Sequence, residues 1–204
     1  MIEIKQIGSG DVLAAIEADT LAGADLREMT LEKADLENAD LSHALLDFAD
    51  LNQANLKGAN LQHASLIGAH LNDADLSDAD LSYAELGSDI QAHAAMLLNS
   101  KLVHANLESK HKDGFAVINK ANMEGANLSH ALMRNIFARL ANLHQADLSH
   151  ANLENAVMAG SIISRANVTD AQFKGVELET VAMGYSNFSK AQNADIPEHK
   201  ANVL

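Results

Sequence analysis

The 204-residue sequence contains no cysteine, no tryptophan and one proline, and aromatic residues make up only 3% of it. Absence of cysteine excludes a disulfide framework and thiolate metal sites, and suits a reducing compartment. The scarcity of aromatics removes the side chains that usually supply much of a globular core. Hydrophobic residues are nevertheless 48% of the chain, with Ala and Leu foremost, so small and medium side chains must pack the core in close order. Basic residues are also few, 14 Lys and Arg against 28 Asp and Glu, for a net charge of −14. That balance argues against direct nucleic-acid binding and against an anionic membrane, since both attract basic patches. No apolar run approaches the roughly 18 residues that span a bilayer. The opening segment MIEIKQIGSGD has no basic stretch followed by an apolar one, so no secretory leader is expected and the cytoplasm is the expected compartment. Without a linker rich in Gly, Pro or charge, one domain over residues 1–204 is the simplest organisation.

What the chain has in abundance is a period of five. Leu recurs at every fifth position from Leu26 to Leu86, thirteen times, and two residues before each stands Ala, with Met29 the one exception. A second block runs from Ile118 to Phe188, with Leu, Ile, Met, Val or Phe at fourteen of fifteen positions and Ala138 at the other. On an α-helix, steps of five advance about 140° and would spiral the Leu around the whole surface. A continuous strand fails too, because five is odd and alternate Leu would face opposite sides. The arrangement that works is Ala-x-Leu as three extended residues with Ala and Leu inward, then two residues that turn a corner.

The segments ADLEN-ADLSH, ANLKG-ANLQH, ADLSD-ADLSY, ANLSH-ALMRN and ADLSH-ANLEN resemble the pentapeptide-repeat family, whose pattern is A(D/N)Lxx. The resemblance covers nearly all of 24–188 and implies an all-β fold, a right-handed quadrilateral β-helix with four pentapeptides per coil. Twenty-eight repeats would then make seven coils, ~34 Å of rod at the usual inter-strand spacing.

The two blocks, 24–86 and 118–188, are out of phase, because Leu86 and Ile118 are 32 residues apart. The segment 87–117 between them must hold an insertion. Ser88 to Gln91 resembles a capping box, and Ile90, Ala94, Leu97 and Leu98 follow at helical spacing, compatible with a short helix. Leu102 and Leu107 look like repeats in an intermediate frame. Residues 108–115 have no repeat character and suit an exposed loop, in which Lys110, His111, Lys112 and Phe115 are candidate partner-binding residues. Residues 1–23 are expected to cap the open end of the core, as a hairpin or as a strand plus helix. The C-terminal tail, 189–204, is short. The last coil, with Phe173, Met183 and Phe188, is therefore the expected end-to-end contact of a homodimer, as several family members form.

Charge is uneven. Residues 24–86 carry thirteen acids and three bases, whereas 118–188 carry six and five. Positions twenty apart stack on one face, so Asp35, Asn55 and Asp75 form one column and Asp40, Asn60 and Asp80 another. Asn between the Asp residues separates like charges to roughly 9.6 Å, close to a Debye length, and Glu37 should face Lys57. The four aspartates are the candidate acidic binding face. The resemblance implies that such a face acts as a DNA mimic toward a type II topoisomerase, DNA gyrase or topoisomerase IV, although that branch often has Phe at the repeat centre, where Leu stands here. In the second block Leu132, Phe137, Val157 and Ile162 occupy the outward position usually held by Asp or Asn. They form a candidate apolar patch for a scaffold or adaptor role.

Ten histidines raise the question of a metal. His43 and His63 are one coil apart with Tyr83 next, and His130 and His150 are also one coil apart, with Asp170 following. Neither column offers an obvious third ligand, and tetrahedral zinc wants three or four, so no metal and no cofactor is expected. No nucleophile elbow, phosphate loop or HExxH motif is present, and a core filled with Leu leaves no concave pocket. The expectation is a non-catalytic protein-binding rod.

Overall fold

The computed structural model describes residues 1–87, 102, 104–108 and 116–203, with the side chains of 201–203 excepted. The helical segment expected from Ser88 and the loop residues Lys110, His111, Lys112 and Phe115 lie outside the described residues.

The repeating Ala and Leu are the core. Leu41, Leu46, Leu51, Leu56 and Leu61 are fully buried, as are Ala44, Ala49, Ala54 and Ala59 between them. Ala stands where the backbone turns close to the axis, and Leu reaches across the middle. Each corner is a tight turn in which the Ala N–H donates to the carbonyl of the preceding Leu, as Ala54 does to Leu51 at 3.0 Å. The residue before that Ala has a left-handed backbone, with φ of 58°, 57° and 57° at Gln53, His63 and Gln145. Side chains other than glycine rarely adopt this conformation, but Asn, Asp and His tolerate it best.

Consecutive coils are joined by parallel bridges between residues twenty apart, such as Asp35 with Asn55 and Asn55 with Asp75. Four pentapeptides therefore complete one coil of an all-β solenoid. The stack passes straight through the interruption. On one face the bridges run Asp25, Leu45, Ser65, Glu85, Asn106, Leu132, Asn152, Gln172 and Gln192. The separations are twenty except for 21 between Glu85 and Asn106 and 26 between Asn106 and Leu132. Each irregular coil thus contributes one residue to the phase slip, and the second holds a further five. Leu102 and Leu107, both buried, supply the core of a coil beyond the seven that the two blocks make. Nine levels on this face give ~38 Å of stacked strands.

At the N-terminus, of the two arrangements expected, the hairpin is the one present. β1 (Ile2–Gln6) pairs antiparallel with β2 (Val12–Ile16), and Lys5 and Gln6 pair with Asp35 and Ala34 of the short strand β3 (Ala34–Asp35). β1 so occupies the edge that this face of the first coil would otherwise expose, and Ile4 is buried against the core. At the other end, the Lys200 ammonium donates to the carbonyls of Leu178 at 2.8 Å, of Val181 at 2.9 Å and of Glu179. The tail lies against the last coil, with Ile196 partly buried on the core.

Candidate functional site

Three kinds of surface column carry the chemistry of the rod. The first is acidic. In each repeat the Asp or Asn before the central Leu accepts the backbone N–H two residues on. Asp40 accepts from Ser42 at 3.1 Å, Asp75 from Ser77 at 2.9 Å and Asp80 from Ser82 at 3.1 Å. This local ring is what turns the corner. Asn in the column is also a donor between coils: the Asn60 amide donates to Asp40 at 3.1 Å, and the Asn55 amide to Asp35 at 3.3 Å. Asn therefore binds the neighbouring carboxylate as well as separating two of them. Glu37, expected opposite Lys57, instead accepts the Asn55 amide at 3.2 Å.

These contacts act on the acids themselves. Hydrogen bonds from Ser42, first its hydroxyl and then its N–H, hold the Asp40 carboxyl below the usual range, with Asn60 and His43 adding to the effect. The Arg27 side chain, bonded to Asp25 at 2.7 and 2.8 Å, pulls that carboxyl down to about 2.

The second column is a stack of rings. His43, His63, Tyr83, His104, His130 and His150 lie face to face along one corner, with centroids 4.9, 5.0, 5.0, 4.7 and 4.7 Å apart. Sequence periodicity finds the two ends of this ladder but not their junction. His104 lies 21 residues from Tyr83 and 26 from His130, so it belongs to neither block's register. Its only signal is its place two residues after Leu102. The ladder ends on Asp170, whose carboxylate is 3.9 Å from His150 Nδ1. The rings are parallel, within 19° or less. Among the described residues no group of three or more His, Asp or Glu side chains is placed to hold a metal ion.

The third column alternates in charge. Arg134 lies 3.3 Å from Glu108 on one side and 3.3 Å from Glu154 on the other, and Lys174 is 3.2 Å from Glu154. Arg134 Nε is buried in this pairing without an aligned hydrogen bond. Glu108 belongs to the interruption coil, so the ion pairs tie that coil to the second block.

The apolar residues are spread over three faces. Phe137 and Val157 are bridged on one face, half-buried, with the Arg139 guanidinium 6.0 Å over the Phe137 ring. Ile162, 41% exposed, bridges Ala182 on the next face, and Leu132, also 41% exposed, lies between Asn106 and Asn152 on the face before. Phe173, Met183 and Phe188 are core residues, each at most 2% exposed. Their side chains face the inside of the last coil, and the tail forms its outer surface. Among exposed residues the periodicity does not single out, Phe48 is 59% exposed at a corner over Gly68, where any Cβ would collide with its ring.

A stacked all-β solenoid whose core is built from five-residue units defines a repeat protein. Eight copies of the pentapeptide repeat are matched over residues 21–58, 54–87 and 141–179, more than half of the chain, and the chain belongs to the pentapeptide-repeat family. Its fold is similar to that of HetL, a pentapeptide repeat protein involved in heterocyst differentiation regulation from the cyanobacterium Nostoc sp. The two are 25% identical, over 85% of this chain and 90% of that one, with a TM-score of 0.31. Rfr23 from the cyanobacterium Cyanothece is 26% identical over 50% of this chain and 60% of its own, with a TM-score of 0.34. A trypsin-treated form of QnrB1, a plasmid-mediated fluoroquinolone resistance protein, is 16% identical over 91% and 93%, with a TM-score of 0.45. Among curated proteins no sequence matches the chain significantly.

Proposed function

We propose that this protein is a non-catalytic binding rod whose acidic half presents fixed carboxylates to a basic groove on a protein partner. The observation that carries this reading is the pair of columns Asp35–Asn55–Asp75 and Asp40–Asn60–Asp80, bridged from coil to coil, in which turn and amide hydrogen bonds fix the acids. Charges fixed before binding lose little entropy when they meet complementary ones. A groove built for duplex DNA has that complementarity, which makes a type II topoisomerase, DNA gyrase or topoisomerase IV, the partner to test first. The right-handed winding and the cytoplasmic location belong to the same reading. A homodimer joined at the C-terminal end would meet through the tail, since Phe173, Met183 and Phe188 are inside.

The test is a gyrase supercoiling assay with the purified protein, with and without a fluoroquinolone, at two salt concentrations. Inhibition or drug protection is expected to fade with salt and to vanish in the Asp35→Asn, Asp40→Asn, Asp75→Asn, Asp80→Asn variant. No effect at micromolar protein would set the topoisomerase aside. The stacked pair Phe137 and Val157 favours a second reading, an adaptor binding through its apolar face. Such binding would tolerate salt and be lost on Phe137→Asp.

A further inference from the structure

Corner residues with a left-handed backbone are polar or glycine almost throughout the rod. Among the described residues in that conformation only Phe48, with φ of 59°, and Leu140 carry a larger side chain without a polar atom. A bulky residue is strained there, where Asn or Gly would not be. Yet the Phe48 ring is 59% exposed, so most of its apolar surface is left in water. The next coil makes room for it. Gly68, itself buried, lies where a Cβ would come within 2.5 Å of two ring carbons. The ring is thus seated on one side and turned to solvent on the other, and a seated side chain needs little ordering when it binds.

The surface around the ring is apolar close by and acidic further out. The corner joins the face of Asp25, Leu45 and Ser65 to the face of Thr30, Asp50 and His70. Leu45, three residues before the ring, is 37% exposed. Ile67, whose carbonyl accepts Phe48 N–H at 2.9 Å, is half-buried on the next coil. Glu28 stands one coil below Phe48 at the same corner, where its N–H donates to Asp47 O at 2.9 Å. The Asp47 carboxylate is fixed by Ile67 N–H at 3.0 Å and by the Ser65 hydroxyl, and that of Asp50 by Asn52 N–H at 3.1 Å. Across residues 25–30, 45–50 and 65–70, Arg27 is the one Lys or Arg, and Asp25 engages it at 2.7 and 2.8 Å. Glu28, Asp47 and Asp50 therefore flank the ring without a cation of their own.

A rigid aromatic anchor inside a charged rim has the make-up of a binding hot spot, and carboxylates on the rim select a cationic partner. We infer that this corner docks a protein that offers an apolar pocket rimmed by Lys or Arg. The Phe48 ring enters the pocket, and Glu28, Asp47 and Asp50 meet the cations. The corner lies diagonally across the coil from the one between the Asp35 and Asp40 columns, so the inference does not depend on what those columns bind.

The test uses two probes of that chemistry against the full chain: β-cyclodextrin, and β-cyclodextrin with an amino group on each glucose unit. Calorimetry is expected to show the aminated probe binding at least roughly tenfold more tightly than the neutral one, and NMR to show NOEs from its cavity protons to the Phe48 ring. Phe48→Asn should abolish this binding, and Glu28→Gln with Asp50→Asn should remove most of the aminated probe's advantage. Should either variant fail to fold by circular dichroism, the NOEs and the ratio of the two probes on the unmodified chain decide. The inference is overturned if neither probe binds, if both bind equally, or if the aminated probe binds the Phe48→Asn chain as well as the unmodified one, which would mean charge alone. A Phe48 ring already covered in a dimer without probe would also overturn it, since a second copy would then be the occupant.

Discussion

At the residue scale, the outward Asp or Asn of each repeat does two jobs, turning the corner beneath it and tying its coil to the next. Asn60 does both at once, since its Oδ1 accepts from Gln62 N–H at 3.2 Å while its amide donates to Asp40. Asn60→Ala removes both bonds and should destabilise the rod by about 1–2 kcal/mol, at ~1 kcal/mol per net hydrogen bond. Urea denaturation should show a lower midpoint with an unchanged slope. Asp25 and Asp40 make an acid-side prediction. Both carboxyls are held below their usual range in the folded chain, so the unfolded state binds their protons first as pH falls. The stability contributed through Asp25 is present above about pH 4 and is lost as pH drops toward about 2, and Asp40 acts in the same direction. Asp25→Asn should flatten the stability profile in that window, as measured by urea midpoints at successive pH values. An unchanged profile would mean that solvent screens the Arg27 pair completely, as it does for many exposed pairs.

At the scale of the element, the corner columns act as units. The six-ring ladder runs without a break from His43 to His150 and crosses the interruption through His104. An inner ring has two stacking neighbours and the first ring one. At about 0.5–1.5 kcal/mol per aromatic pair, His104→Ala should cost up to twice as much as His43→Ala. Paired urea curves would show it, and equal costs would mean the rings stand together without attraction. The ladder's two ends were legible in the sequence, because His43 and His63, and His130 and His150, keep the twenty-residue step. Its middle was not, since a sequence period cannot follow a column across inserted residues. Backbone bridging decided that His104 belongs to the same corner.

At the scale of the whole molecule, the rod is a stack in which each coil touches only its neighbours, so its unity depends on every junction. One of them crosses the interruption. Gly87 packs so closely under the Glu108 carbonyl that any Cβ would strike it, and the Glu108–Arg134 pair continues the contact upward. Gly87→Val should separate the blocks energetically. Unfolding of the wild-type chain is expected as one transition and that of the variant as two, with hydrogen exchange rising first beside the junction. A single shifted transition would show that the two blocks are coupled by more than this contact.

The sequence by itself determined the core, the five-residue period and the pairing of acids with Asn, because each depends on side chains at a constant separation. Ala at the tight positions and Leu across the middle admit one way of coiling, and the Asp or Asn before each Leu bends its own backbone. Tertiary structure alone decided how the blocks join, what covers each end and how the ring column crosses the interruption. The hairpin on the first coil, Lys200 on the last carbonyls and His104 between Tyr83 and His130 all depend on residues distant in sequence with no repeat to relate them. A period records what is the same from coil to coil, and these features lie where one coil differs from the next.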